Sequence, residues 1–499
     1  MFGVALNMFT ITLVILSIFS LTIPSSSSDQ HHQPPADVCI IGTGMAGSSV
    51  AHFLRRYSSS ISEIRMFERH PIVGGRMATV TIGGETFEAG ASILHPKNYH
   101  ALNFTNMLNL KVKGPSASES SFSLGIWDGE KFLFKTVDSK SKSPVVQYLV
   151  SLANSLRMFV RYGVSLLKMT NFVEVTVDNF LKYYESKESR PIFNTVEDML
   201  QWADLYNLTT QTLEEKLIGL NYSPLLIEEL ITVITRINYG QSVKISGLAG
   251  AVSLAGSGGN LWAVEGGNWQ MAAGLVNRSD VTLHLEEEIE SVTNLDGFYE
   301  LNSTKGNSYR CQVAVVATPL DELNIKFTPE ISTPERKLQH THATFVRGLL
   351  DPAYFGLDSV SDIPELVGTI ESSELPFTCI SILKEHNEKD LTYKMFSRQS
   401  LTDTLLDQIF SIRTETIRIN WGAYPHYHAP EKFAPFMLDD VHLYYVNAFE
   451  NAASTMETSA VAAENIARLI LSRLSSIQPL RMYGFKTSVS DLNLKHQEL

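Results

Sequence analysis

The 499 residues suffice for two or three domains with a large buried core, and 44% hydrophobic against 19% charged residues is the balance of an ordinary globular protein. A formal net charge of −13 without clustered Lys and Arg argues against nucleic acid as a partner. Three cysteines, at 39, 311 and 379, give neither a disulfide framework nor metal-ligand spacing, so no metal site is expected.

The chain opens on Val4 to Ile23, almost wholly apolar, followed by Ser25-Ser26-Ser27-Ser28 and a polar tract. This reads as a signal peptide over residues 1–28, although no Lys or Arg precedes Arg55 and an uncleaved anchor stays open. Sequons at Asn103, Asn207, Asn277 and Asn302 permit glycosylation without arguing for it.

Val38-Cys39-Ile40-Ile41 then runs straight into Gly42-Thr43-Gly44-Met45-Ala46-Gly47, with Val50, Ala51, Phe53 and Leu54 following at helical spacing. Strand, glycine turn and helix in that order predict dinucleotide binding: the first glycine for the turn, Gly44 for close approach to a pyrophosphate, Gly47 for packing. A second apolar run ends in Glu68, placed to accept from ribose hydroxyls. Arg69 and Val73-Gly74-Gly75-Arg76 follow, then a glycine-centred hairpin from Val80 to Phe87, then Glu88-Ala89-Gly90-Ala91-Ser92. The layout resembles the FAD-dependent amine oxidase and desaturase superfamily, which implies FAD.

From about Val145 to Thr235 the pattern turns helical, and Leu149, Leu152, Leu156 and Val160 are read as the core-facing side of an amphipathic helix, with a membrane-surface role as the alternative. Trp269 to Val276 is a helix, and the runs from Val281 and Ile289 are strands. Cys311 to Val316 reads as a buried parallel strand. Leu443 to Phe449 is the last strand, ending in Glu450 before a helix from Asn451 to Leu474. The resemblance to that superfamily implies an acidic residue here at the cofactor's ribityl or pyrophosphate region, for which Glu450 is the first choice and Glu457 the second.

Further segments carry a sharper resemblance, among them Arg236-Ile237-Asn238-Tyr239-Gly240-Gln241, Trp262-Ala263-Val264-Glu265-Gly266-Gly267-Asn268 and Ala423-Tyr424-Pro425-His426-Tyr427. They resemble the prenylcysteine oxidase (farnesylcysteine lyase) family over nearly the whole mature chain. The resemblance implies an α/β fold: a Rossmann-type FAD-binding domain, glutathione-reductase/amine-oxidase-like, with an inserted α+β substrate domain. The FAD-binding parts are expected at 37–100, 265–345 and 431–475, the substrate parts at 101–264 and 346–430, and a tail at 476–499. It implies cofactor contacts from Gly42, Gly44, Met45, Ala46, Gly47, Glu68, Arg69, Gly75, Arg76, Ala91, Ser92, Ile289 and Glu450.

The implied reaction takes hydride from the allylic carbon beside sulfur to the flavin, and water then gives a hemithioacetal that collapses to prenyl aldehyde and L-cysteine. O2 as final acceptor yields hydrogen peroxide. His426, Tyr424 and His95 are the catalytic candidates, with His340 and His342 as alternatives; any one histidine has a structural reading too. The farnesyl chain is expected over geranylgeranyl, in a lysosome or vacuole reached through the secretory pathway. Peripheral membrane contact stays open, and no obligate protein partner is implied. An amine or polyamine oxidase of the same fold, and a non-catalytic prenyl carrier, are the competing readings.

Overall fold

The computed structural model describes residues 36–114, 123–139, 141 and 143–486, with side chains to 475. The expected signal segment and the chain after 486 lie outside the described residues. Two sheets organise the rest. The first carries the parallel strands Thr282–Leu285, at one edge, then Ile64–Glu68, Ala36–Ile41 and Ser308–Val316, and Leu443–Tyr445 joins Ser308–Val316 in parallel. Ile64–Glu68 is buried throughout, Arg65 and Glu68 included, and so is most of Ala36–Ile41, as expected of parallel strands with both faces covered. An antiparallel hairpin, Ile289–Asn294 with Tyr299–Ser303, extends one edge. Cys39, Cys311 and Cys379 are free and buried.

The second sheet is built from Phe410–Pro425, Leu338–Leu350, Asp390–Ser397, Cys379–Asn387, Leu366–Thr369, Leu124–Trp127 and Phe132–Lys135 in that order. A helical layer over 144–255 packs beside it around a separate apolar cluster that includes Leu213, Leu226, Ile231 and Tyr239. Helix Gly247–Ala255 is small-faced for contact: a Cβ at Gly250 would meet Leu213 at 2.7 Å.

Several expected boundaries move. The one at 345 falls inside strand Leu338–Leu350, which pairs along its length with Phe410–Pro425, so the second nucleotide-binding segment ends before 338. The one at 100 falls inside helix Tyr99–Met107, whose Ala101 and Phe104 belong to the first domain's core. The one at 475 falls inside helix Met456–Lys486. That helix starts later than expected, because 446–451 is a 3-10 turn and the Thr455 hydroxyl accepts from the Thr458 N–H. The reading of Leu149, Leu152, Leu156 and Val160 as core-facing is overturned: all four are exposed on helix Pro144–Tyr162.

Candidate functional site

Helix Met45–Tyr57 leaves the first strand with no acidic residue in its first turn and no side-chain cap. Its leading N–H groups and positive dipole end are therefore open to an anion. A Cβ at Gly47 would lie 2.0 Å from the Gly42 carbonyl oxygen, so Gly47 is demanded by packing. Gly44 is different. Its nearest neighbours are Gly74 O at 3.7 Å and Gly75 Cα at 3.9 Å, so two glycine turns face each other across bare backbone. That groove has the shape a pyrophosphate needs. Met45 and Ala46 are buried at the helix start.

Glu68 closes the other side. Thr43 donates to its Oε2 from the hydroxyl at 2.6 Å and the N–H at 3.2 Å, and the His70 N–H donates to Oε1 at 3.0 Å. Arg69 is exposed at the rim. The Glu286 and Glu287 N–H groups bond the His70 and Glu68 carbonyls, which brings buried Ile289 to the same end. A turn without side chains, an uncapped helix start and a buried acid beside them fit an FAD-type dinucleotide.

At the opposite end Arg76 donates to the Ala423 carbonyl at 2.8 Å and pairs with Glu450 at 2.5 Å. Glu450 is buried and also accepts from Asn447 at 3.1 Å and Ser454 at 2.9 Å, with Arg336 at 3.4 Å. Burial alone would raise its pKa, but Arg76 and Arg336 outweigh it and bring it down to about 2. Glu457 serves elsewhere, accepting the His100 and Ala101 N–H groups and so capping helix Tyr99–Met107. Ala91 and Ser92 are fixed by Asn268, whose side-chain amide donates to both carbonyls while its N–H donates to Glu88. Glu88 Oε2 is buried without a hydrogen-bond partner among the described residues, and burial raises the Glu88 pKa to about 7 against the Asn268 N–H and Lys394.

Tyr424 joins a buried aromatic group: its ring meets Tyr239 edge-on at 4.8 Å, and Tyr239 meets Tyr427 at 5.3 Å. Tyr239 donates to the Ser454 carbonyl at 3.1 Å, and Tyr427 to that of Glu450 at 3.3 Å. The group therefore rests on the cradle's carboxylate turn. The histidines scatter. His426 is exposed, and its Nδ1 lies 3.3 Å from His428 Nε2. His340 is exposed between Glu322 and Asn420, next to His342 on the same strand. His95 is partly buried, its carbonyl held by the Trp262 indole, and burial lowers its pKa. Its Nδ1 accepts the Lys97 N–H at 3.1 Å, which places the ring proton on Nε2 and makes that edge a donor.

Two features escaped the sequence reading. Lys394, buried in strand Asp390–Ser397, donates to the Glu88 carbonyl at 2.9 Å and the Ser92 hydroxyl at 3.1 Å. Burial lowers its pKa to about 8, with Cys379 and Glu88 opposing. A lysine flanked by Tyr393 and Met395 was the available signal. Glu371, in turn, is shared by Arg236 at 2.5 Å and by Arg398 through a two-pronged contact at 2.6 and 2.8 Å. Arg398 also donates to the Gly240 carbonyl, one residue from Tyr239.

The model of a family described as prenylcysteine lyase matches residues 146–479, and that of an NAD(P)-binding Rossmann-like domain matches 40–108. A farnesylcysteine lyase of Arabidopsis thaliana is 65% identical over 92% of this chain and 93% of its own length. The chain belongs to the prenylcysteine lyase family. Prenylcysteine oxidase 1 of Homo sapiens is 33% identical over 88% of this chain and 90% of its own length. Among solved structures, a cyclohexylamine oxidase from Brevibacterium oxydans superposes with a TM-score of 0.59 at 17% identity, covering 89% of this chain and 100% of its own. A putrescine oxidase bound to putrescine gives 0.56 at 13%, covering 88% and 99%. These two establish the shared fold alone, and with it the expected α/β architecture.

Proposed function

We propose that this protein is an FAD-dependent oxidase that cleaves S-prenyl-L-cysteine, farnesylcysteine foremost, with O2 and water to prenyl aldehyde, L-cysteine and hydrogen peroxide. The observation that carries it is the seating of the Tyr239–Tyr424–Tyr427 group on the cradle turn, at the end of an apolar cluster reaching Phe134 and Tyr162. That cluster suits an isoprenoid. Membership of the family and the likeness to the farnesylcysteine lyase support the substrate class.

The bound flavin would supply the two-electron acceptor for hydride from the allylic carbon. Gly42, Gly44, Gly47, Glu68, Gly75 and Arg76 would hold it. The protein's own groups orient the thioether and exclude water. Burial pushes Tyr424 up to about 12, so a neutral ring, not a phenolate, faces the carbon that gains positive charge. Lys394, which donates to the Glu88 carbonyl and the Ser92 hydroxyl, is lowered by burial to about 8, and only its neutral fraction, which grows as pH rises through 8, is placed to take a proton from water. Arg398, whose Nε donates to the Gly240 carbonyl one residue from Tyr239, offers a positive charge that matches the carboxylate of cysteine.

We place the enzyme in the lumen of a lysosome or vacuole, on the strength of the apolar segment Val4 to Ile23; Asn103, Asn207 and Asn277 are exposed, as glycan acceptors must be. Protease protection of the protein in intact vesicles, with a mass shift on deglycosylation, supports this, and digestion without detergent refutes it.

Anaerobic mixing with S-farnesylcysteine tests the reaction. Bleaching of the visible flavin band, reversed by air with aldehyde and peroxide formed, is the expected result. A yellow protein that bleaches only with amines makes it an amine oxidase, and a colourless protein that binds the prenyl group makes it a carrier.

A further inference from the structure

The loop after strand Phe410–Pro425 is pinned along its backbone, yet two of its side chains face solvent. The His426 N–H donates to the Lys337 carbonyl at 2.8 Å. The buried Gln241 amide holds the peptide groups on either side, its Nε2 donating to the Pro425 carbonyl at 3.0 Å and its Oε1 accepting the Tyr427 N–H at 2.9 Å. The His428 N–H donates to Glu431 Oε1 at 2.7 Å. Tyr427 is buried, whereas His426 and His428 on either side of it are exposed. Their rings lie 4.8 Å apart, with Nδ1 of the first 3.3 Å from Nε2 of the second. One segment thus mounts Tyr424 and Tyr427 towards the aromatic group and a rigid pair of imidazoles towards solvent.

We propose that His426, His428 and Arg398 together seat the carboxylate of the substrate's cysteine, with the histidine pair adding one positive charge as the medium turns acidic. The inference rests on the prenylcysteine reading and extends it to specificity. A neutral imidazole has one N–H and one lone pair, so the bond between the rings takes the donor of one and the acceptor of the other. A first added proton leaves that bond in place, because an imidazolium donates to a neutral ring. A second proton makes both facing nitrogens donors and breaks it. The pair therefore holds a single extra proton, and in that state His426 Nε2 and His428 Nδ1 both carry an N–H for an anion.

The surrounding charges favour an anion. Arg398 donates to the Gly240 carbonyl at 3.0 Å, and the next residue is Gln241, so guanidinium and imidazoles sit at two ends of one backbone clamp. Arg398 and Arg236 share the single carboxylate of Glu371, and two guanidiniums against one carboxylate leave a net positive charge. Partial burial, His428 and Arg398, in that order, lower the His426 pKa, so an arriving anion promotes the proton uptake that holds it. Lys337 and Lys432, the lysines next to the loop, are exposed and add to the positive side. Glu431 is the acid on the loop itself. Burial raises its pKa to about 8, against the His428 N–H, Asn451 and Arg336, which leaves it protonated in the acidic range. A ligand with a carboxylate at this end and an apolar tail against Tyr239, Tyr424 and Tyr427 matches both sides of the segment.

The test is KM against pH for the flavin-loaded full-length enzyme on two thioethers. One is S-farnesylcysteine; the other is the farnesyl thioether of cysteamine, which keeps the ammonium and lacks the carboxylate. For wild type, the ratio of the first KM to the second is expected to fall roughly threefold to fivefold between about pH 7.5 and 5.5. His426→Gln combined with His428→Gln, both exposed and so compatible with folding, is expected to abolish that fall. A ratio that falls with the same slope in the double variant overturns the proposal. So does a loss of equal size on both thioethers at every pH, which would assign the loop to holding Tyr427 alone. Anaerobic bleaching keeps this failure apart from failure of the parent reading. A wild-type flavin that S-farnesylcysteine does not bleach overturns the prenylcysteine reading and this site with it. Bleaching together with an unchanged slope overturns the site alone.

Discussion

Arg76 and Glu450 meet at 2.5 Å inside the protein, joining the Gly-Gly-Arg segment to the turn before the last helix. The pair also connects the nucleotide cradle to the aromatic group, through the Ala423 carbonyl on one side and the Glu450 carbonyl on the other. Glu450→Gln would leave Arg76 and Arg336 short of a buried counter-charge. The expected cost is about 3 kcal/mol of stability, with weaker flavin retention, read by thermal unfolding and by flavin released on gel filtration. The pH dependence has a definite sign. Because the folded pKa of about 2 lies below the ordinary 4.5, the pair's stabilisation is complete above pH 4.5 and is lost as pH falls towards 2. The gap between wild type and variant should close over that window.

Gly44 and Gly47 are three residues apart and predict opposite failures. Gly47→Ala forces a Cβ to 2.0 Å from a backbone oxygen, so insoluble or unfolded protein is expected. Gly44→Ala meets nothing closer than 3.7 Å and should fold with a near-normal melting temperature in the absence of flavin. Its methyl instead enters the groove assigned to the pyrophosphate. Flavin affinity is expected to fall by roughly tenfold or more, measured by quenching of flavin fluorescence. Equal melting losses in both variants would contradict this division.

The nucleotide-binding unit was legible because its signals are local: an apolar run, glycines at fixed offsets, and Glu68 at the end of the next strand. The hairpin Thr79–Ile82 with Glu85–Glu88 was legible for the same reason. Periodicity failed at helix Pro144–Tyr162, since a stripe of Leu and Val names a face without naming what lies opposite it. Choosing between Glu450 and Glu457 needed the fold, because only three dimensions bring Arg76 to one and the Tyr99–Met107 helix start to the other. Lys394 was hidden for a similar reason. Its partners at 88 and 92 are some 300 residues away in sequence, and strand pairing opposite Phe345 brings them together.

Lys394→Met probes that residue through pH. The folded pKa of about 8 lies below the ordinary 10.5, so the folded state disfavours the charge that the unfolded chain keeps. Wild-type stability should therefore rise relative to the variant between pH 8 and 10.5, by about 1.4 kcal/mol per pH unit, and the difference should level off above that range. Turnover gives the second readout. If Lys394 takes the proton from water, the wild-type kcat profile has a limb near 8 that the variant lacks. A profile unchanged by the substitution assigns Lys394 to holding Ser92 alone.

Arg398 is the residue proposed to read the polar end of the substrate. It shares Glu371 with Arg236, so Arg398→Ala leaves that carboxylate with a partner at 2.5 Å and the fold intact. A charged hydrogen bond to the cysteine carboxylate contributes about 1.5–3 kcal/mol, so KM for S-farnesylcysteine should rise roughly tenfold to a hundredfold, with kcat changed much less. A farnesyl thioether of cysteamine, which lacks the carboxylate, separates recognition from simple disorder. Wild type and Arg398→Ala should handle it equally poorly if Arg398 binds the carboxylate. A variant that loses the same factor on both thioethers would show that Arg398 acts by holding the Gly240 carbonyl, and through it Tyr239.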